Sequence, residues 1–163
     1  MEIRRASAAD LPTCARLNRT VQSVHAAAHP LLFKAAPDAA AIQGWFADFL
    51  AKPGASLLLG EERGEPVGYI AGEVMRYAEN PFRHAFALGL VAQLAVVAGA
   101  QRRGHGEQLL EALLAIFRTE GVARVELSVW AFNAGARCFY ERQGFATFNE
   151  RMSLDLAPAL SAR

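Results

Sequence analysis

Two segments of this chain combine residue types that can do chemistry. The first reads L-A-V-V-A-G-A-Q-R-R-G-H-G from Leu94 to Gly106. An apolar strand runs into a loop holding Arg102, Arg103, Gly104 and Gly106, and a helix begins immediately afterwards. N–H groups in the first turn of a helix lack partners within it and point outward, so this junction suits a phosphate. Gly104 and Gly106 let the backbone approach a ligand with no Cβ in the way, and the two arginines add positive charge. The same residues would also make an ordinary strand-to-helix turn with solvated arginines. No Lys-Ser/Thr pair follows the glycines, so this is not a Walker loop. The third glycine and the N-terminal strand of a dinucleotide fingerprint are also missing.

The second segment reads N-A-G-A-R-C-F-Y-E-R-Q-G-F from Asn133 to Phe145. Asn133 can cap the helix that follows, and Gly144 can close it. Tyr140 offers either an aromatic core contact or a hydroxyl for proton chemistry. Other groups able to move a proton are Glu126 on the preceding strand, Glu73 in an earlier hairpin, and His25, His29 and His84. A lone histidine in a helix or loop is also a common structural or solvated residue.

These segments need a scaffold, and the hydrophobic pattern outlines one. A short strand over 2–6 leads to Ser7 or Asp10, either of which can cap a helix. Leu11, Cys14, Leu17, Val21 and Val24 then recur at near-helical spacing. His29–Pro30 and Ala36–Pro37 break that helix. Ile42, Trp45, Phe46, Phe49 and Leu50 mark a second helix, which Pro53–Gly54 ends. Apolar runs over 55–60 and 67–75, joined by E-E-R-G-E-P, predict a hairpin. A longer strand over 85–97 sets Leu88, Leu90, Ala92, Leu94 and Val96 on one side. Leu109, Leu110, Leu113, Leu114 and Phe117 mark the next helix, with Gly121 at its end. A strand through Val125–Leu127–Val129, a helix over 134–142 and an extended stretch over 145–156 complete the order. The prediction is a mixed α/β fold in one domain over residues 1–163.

Composition narrows the functional classes. A length of 163 residues fits one compact domain, and a net charge of +1 gives no reason to expect a nucleic-acid or membrane partner. No apolar run approaches the roughly 20 residues of a membrane helix. The first ten residues lack the apolar core of a signal peptide. Cys14 and Cys138 have no metal-binding spacing and read as small buried hydrophobes, so no metal is expected. A reducing, cytoplasmic setting is the default.

Taken together, the two segments resemble the GNAT superfamily of N-acetyltransferases. Gln101, Gly104 and Gly106 fill its Q/R-x-x-G-x-G/A loop. Asn133, Ala136, Tyr140, Gly144 and Phe145 match its N-x-x-A-x-x-x-Y-x-x-x-G-F helix. The close resemblance covers about half the chain, from residue 89 to residue 148. It implies the GNAT fold, a mixed and mostly antiparallel central sheet flanked by helices. It also implies transfer of an acetyl group from acetyl-CoA directly to an amine. The backbone of Leu94, Ala95 and Val96 would pair with the pantetheine arm, and an N–H near Val96 would polarise the thioester. Arg102, Arg103, Gly104, His105, Gly106 and Glu107 would cradle the pyrophosphate beside Gln101. Asn133 would reach the pantetheine, and Tyr140 would meet the departing thiolate.

The chain departs from the family pattern at one catalytic position. Relatives that acetylate protein N-termini often carry Glu five residues before the Asn; here that residue is Ser128. That leaves Glu126, two residues earlier on the same strand face, either as a base acting through one water or as a salt-bridged surface group, with Glu73, the three histidines or a water chain as alternatives. The acceptor stays open: a small-molecule amine or a peptide amine fits equally. In this superfamily the region from His25 to Lys34 commonly borders the acceptor site. Trp130, Phe132 and Phe86 suit a partly apolar acceptor or a homodimer interface. The competing reading is a non-catalytic sensor that binds acyl-CoA on the same fold, which the loss of Glu at Ser128 favours and the retention of Tyr140 opposes. An ATP-binding domain is a third, disfavoured by the missing Lys-Ser/Thr.

Overall fold

A computed structural model describes residues 1–154 and 156. The chain forms two compact units, Met1–Ser128 and Val129–Arg163. The first holds strands β1 (Glu2–Arg5), β2 (Ala55–Glu62), β3 (Glu65–Tyr77), β4 (Phe86–Val96) and β5 (Arg124–Leu127), with helices α1 (Leu11–Ala28), α2 (Ala39–Leu50) and α3 (His105–Thr119). The second holds helix α4 (Ala134–Arg142).

The five strands form one sheet in the order β1-β2-β3-β4-β5. The first three pairings are antiparallel and β4–β5 is parallel. The β2–β3 hairpin turns at Arg63 and Gly64, whose φ angles of 54° and 80° are both left-handed. A two-residue turn of that hand matches the natural twist of its strands.

Each face of the sheet is covered by helix. Leu57, Leu59, Tyr69, Ala71 and Ala95 face Cys14 and Leu17 of α1 and Phe46 and Phe49 of α2, forming one buried cluster. Full burial of such a side chain is worth about 1.5–3 kcal/mol. The opposite face meets Leu109, Leu113 and Phe117 of α3. Gly72 and Gly89 let α3 come close: a Cβ on either would stand 2.9 Å or less from the Phe117 ring. Two ends are held by side chains. Asp38 Oδ2 accepts from Ala41 N at 3.0 Å to cap α2. Asp10 accepts from the N–H and hydroxyl of Ser7 and from Arg4, which also bonds Glu61 on β2.

Five sequence expectations change. The strand expected through Val129 ends at Leu127, leaving Ser128 outside it. The alternation along β4 breaks at Ala92, because Ala71 pairs with Gln93 while Gly72 pairs with Val91. Ala92 is the extra residue of a β-bulge. Leu88 and Leu90 therefore share a face with Gln93 and Ala95, while Leu94 and Val96 lie on the α3 face with Gly89 and Val91. Val24 is not part of the buried stripe of α1, being 45% exposed. Cys14 is buried as expected, but Cys138 is exposed and its Sγ lies 2.9 Å from Arg142 Nη1. Residues 145–154 and 156 form no strand, and residue 155 lies outside the described residues.

Candidate active site

The bulge at Ala92 decides what β4 can do. β5 pairs only with residues 88–91 of β4. Past Val91, the β4 edge has no strand beside it within the first unit. Val97 N donates to Val67 O at 2.9 Å, which sets the direction of the backbone groups here. In an antiparallel ladder alternate residues turn both polar groups to the partner. Ala95 thus faces Tyr69 on β3, whereas Leu94 and Val96 present their groups to the open edge. The Val96 carbonyl is already engaged, accepting from Gln101 Nε2 at 2.9 Å. Among the described residues, Leu94 N–H, Leu94 C=O and Val96 N–H remain as a short unpaired ladder.

That edge leads, through a 3-10 turn Ala98–Ala100 and residues 101–104, to the start of α3. Gly104 takes φ 81°, a conformation that strains other residues, and stands as N-cap without offering a side chain. The first helical bond is Gln108 N to Gly104 O, 3.0 Å. The N–H groups of His105, Gly106 and Glu107 therefore have no acceptor within the helix. Arg102 is exposed with φ 60°. Arg103 Nη2 instead lies 2.5 Å from Glu62 Oε1, anchoring the loop to the β2–β3 hairpin. His105 is buried at 5% exposure. Among the described residues neither of its ring nitrogens has a hydrogen-bond partner, and Nε2 is 3.7 Å from Glu62 Oε1.

On the α1–α2 face, one residue before Leu94, a buried polar cluster appears. Tyr69 Oη donates to Gln93 Oε1 at 2.7 Å, and Asn18 Nδ2 donates to Tyr69 Oη at 2.9 Å and Gln93 Oε1 at 3.1 Å. Burial holds the Tyr69 hydroxyl far above its ordinary pKa, so it stays a neutral donor. Asn18 and Gln93 form the floor of a cavity of about 240 Å³ whose walls include Gln22, Pro37, Ile42 and Trp45. No charged side chain lines it. Sequence reading missed this cluster. Its only local signal was an amide set among the apolar residues of α1 and another in β4.

Glu73 and Glu126 both pair with Leu90, from its two neighbouring strands. Glu126 pairs with Leu90, on the α1–α2 face, and its Oε1 accepts from Arg124 Nε at 2.7 Å. Glu73 Oε1 lies 3.4 Å from Lys52 Nζ. His25 Nδ1 is 2.8 Å from Val21 O and its ring packs 5.0 Å from Phe33. His84 is exposed. No cluster of three or more His, Cys, Asp or Glu is placed for a metal among the described residues. Nor is any helix among them long and apolar enough to cross a membrane.

In the second unit, Asn133 Oδ1 accepts from Ala136 N at 3.0 Å and caps α4. Its amide nitrogen is left for other use. Gly144 follows the helix with φ 86°. Tyr140 is half-buried between the rings of Phe139 and Phe145, with centroids 5.0 and 5.6 Å away. Burial pushes its hydroxyl up to about 12.

Comparison with known proteins gives this geometry a context. Residues 20–145 match the sequence pattern of the Acetyltransferase (GNAT) family. A 59-residue stretch is 48% identical to the mycothiol acetyltransferase of Beutenbergia cavernae, and it spans 36% of this chain and 20% of that relative. The fold superposes on a crystal structure of a mutant BH1408 protein from Bacillus halodurans with a TM-score of 0.90, at 23% identity over 96% of this chain and 100% of that one. It also superposes on an aminoglycoside 6'-N-acetyltransferase from Acinetobacter haemolyticus with a TM-score of 0.76, at 14% identity over 97% and 99% of the two chains. At these identities the structural likeness is one of fold.

Proposed function

The chain belongs to the Acetyltransferase (GNAT) family, and on that premise we propose that it transfers an acetyl group from acetyl-CoA directly to a primary amine. One observation carries this reading. β4 continues past its last β5 pairing as an open edge and runs into an uncapped helix N-terminus. An extended amide-bearing arm fits the first part by strand addition, and a pyrophosphate fits the second. The mycothiol acetyltransferase match adds support from sequence.

When bound, acetyl-CoA supplies the thioester: its carbonyl carbon gains the amine nitrogen, and the carbon–sulfur bond breaks as the thiolate leaves. Leu94 offers its N–H and C=O to the pantetheine amides, while Ala95 keeps the strand in the sheet. The Val96 N–H stabilises the oxyanion of the tetrahedral intermediate. His105, Gly106 and Glu107 offer backbone N–H groups to the pyrophosphate, Gly104 lets the backbone approach it, and Arg102 adds an exposed charge. Arg103, tied to Glu62, positions the loop. Gln101 fixes the turn, and Asn133 uses its amide nitrogen on the pantetheine arm.

Tyr140 meets the departing sulfur as a hydrogen-bond donor. A hydroxyl pushed up to about 12 is a weaker acid than a thiol of about 8.5. It stabilises the thiolate while keeping its own proton. The attacking amine loses its proton through water to Glu126, which with Glu73 flanks Leu90 on the Gln93 face of the sheet; the neutral Asn18–Tyr69–Gln93 cluster has no basic member. The test is a thiol-release assay with acetyl-CoA and a panel of primary amines, with the acetylated product identified by mass. Release that depends on the amine supports the proposal. Tight acetyl-CoA binding without release under any amine would instead mark a sensor.

A further inference from the structure

The cavity on Gln93 adjoins a second hollow along α1. Gln22 and Pro37 belong to both, and the second, of about 260 Å³, adds Arg19 and Ser23 to the lining. Helical spacing explains why the two adjoin. Asn18 and Gln22 stand one turn apart on one stripe of α1, and Arg19 and Ser23 occupy the adjacent stripe. Gln22 itself is fixed, donating from Nε2 to Lys34 O at 2.6 Å.

Charge is distributed unevenly along this groove. The inner end is lined by neutral amides, a proline and apolar side chains, and the outer end by one cation, Arg19. Arg19 makes no ion pair among the described residues. Neither lining contains an acid. The carboxylate next in sequence to the lining, Asp38, is spent on capping α2. A polycation laid here would bring several ammonium groups against neutral amides and a like charge, which is unfavourable. An anionic tail would instead find an unpaired guanidinium.

We propose that this groove takes a small primary amine bearing a carboxylate or a similar anion, with the amine at Gln93 and the anion at Arg19. It thereby selects against polyamines. The inference rests on the acetyltransferase reading above and names its acceptor class. Gln93 is the residue before Leu94, so an amine at the inner end lies next to the strand edge assigned to the donor.

The test reads binding directly, without catalysis. Three probes suffice: 4-aminobutyrate, the uncharged 4-amino-1-butanol and spermidine. Each is titrated while the indole N–H resonance of Trp45 is followed, assigned by its loss in Trp45→Phe. The expected result is a shift of that resonance, with 4-aminobutyrate bound about tenfold more tightly than the other two, the worth of roughly one charge-assisted contact. In Arg19→Glu that preference should disappear or invert, with a thermal midpoint near wild type because Arg19 is exposed. Spermidine binding as well as 4-aminobutyrate, a preference that survives Arg19→Glu, or no probe moving the Trp45 signal would each overturn the inference. Acetyl-CoA binding by calorimetry on the same sample tests the donor reading separately.

Discussion

Gln101 Nε2 donates to the Val96 carbonyl across 2.9 Å, so the turn leaving β4 folds back onto the strand edge it has just left. The contact satisfies the last outward carbonyl of the strand and fixes the path of the loop toward α3. It makes Gln101 a positioning residue. Gln101→Ala should raise KM for acetyl-CoA about 5–10-fold, as expected for one lost hydrogen bond of roughly 1–1.5 kcal/mol. kcat should change much less. Steady-state kinetics with varied acetyl-CoA would check the split; a fall in kcat with KM intact would contradict the role.

Tyr140→Phe keeps the ring between Phe139 and Phe145 and removes only the hydroxyl. Loss of a donor aimed at developing negative charge costs about 10²–10³ in rate. kcat should fall by that factor with acetyl-CoA affinity nearly constant. An unchanged kcat would leave Tyr140 a packing residue.

Glu126→Gln preserves shape and removes basicity. The acidic limb of the kcat/KM profile should disappear and the rate near neutrality should fall about 10²-fold or more, the usual range for general-base assistance. A pH–rate profile of the variant checks this. Retention of both limb and rate would pass the role to a water chain or to an amine already neutral.

Asp10 links pH to stability. Its carboxyl is held well below the usual carboxylate range, first by Arg4 and then by the Ser7 N–H and hydroxyl. A depressed folded-state pKa stabilises above the unfolded value, about 3.9, and the gain is lost as pH falls below it. Asp10→Asn should therefore lower Tm near pH 7, and the gap from wild type should close between about pH 4 and strongly acid conditions. Thermal melts across that range check it; a gap that widens toward acid would contradict the assignment.

How much was legible in the sequence depended on how local the cause was. The spacing of Phe46 and Phe49 marked α2 correctly, because one helix face decides it. Arg63–Gly64 marked its turn, because two φ angles decide it. Gly104 announced the start of α3 by its left-handed φ, and Asn133 that of α4 by a side chain that caps it. The β4 pattern misled because the bulge at Ala92 belongs to the pairing with β3 and leaves no mark on the alternation of β4 itself. The Asn18–Tyr69–Gln93 cluster was invisible because its members are 51, 75 and 24 residues apart. Cys138 read as buried because cysteine usually is; on α4 it faces outward beside Arg142.

The account turns on acetyl-CoA lying along β4 and onto the first turn of α3, and calorimetric titration of acetyl-CoA into the protein tests that most directly. Wild type should bind, and at 100 times its Kd the ligand should add about 2.7 kcal/mol to stability, visible as a raised Tm. Gly104→Asp should abolish both, because it sets a carboxylate where the phosphates belong and forces a side chain onto a φ of 81°. Circular dichroism would confirm that this variant is folded. No heat and no Tm shift with wild type would contradict the central claim.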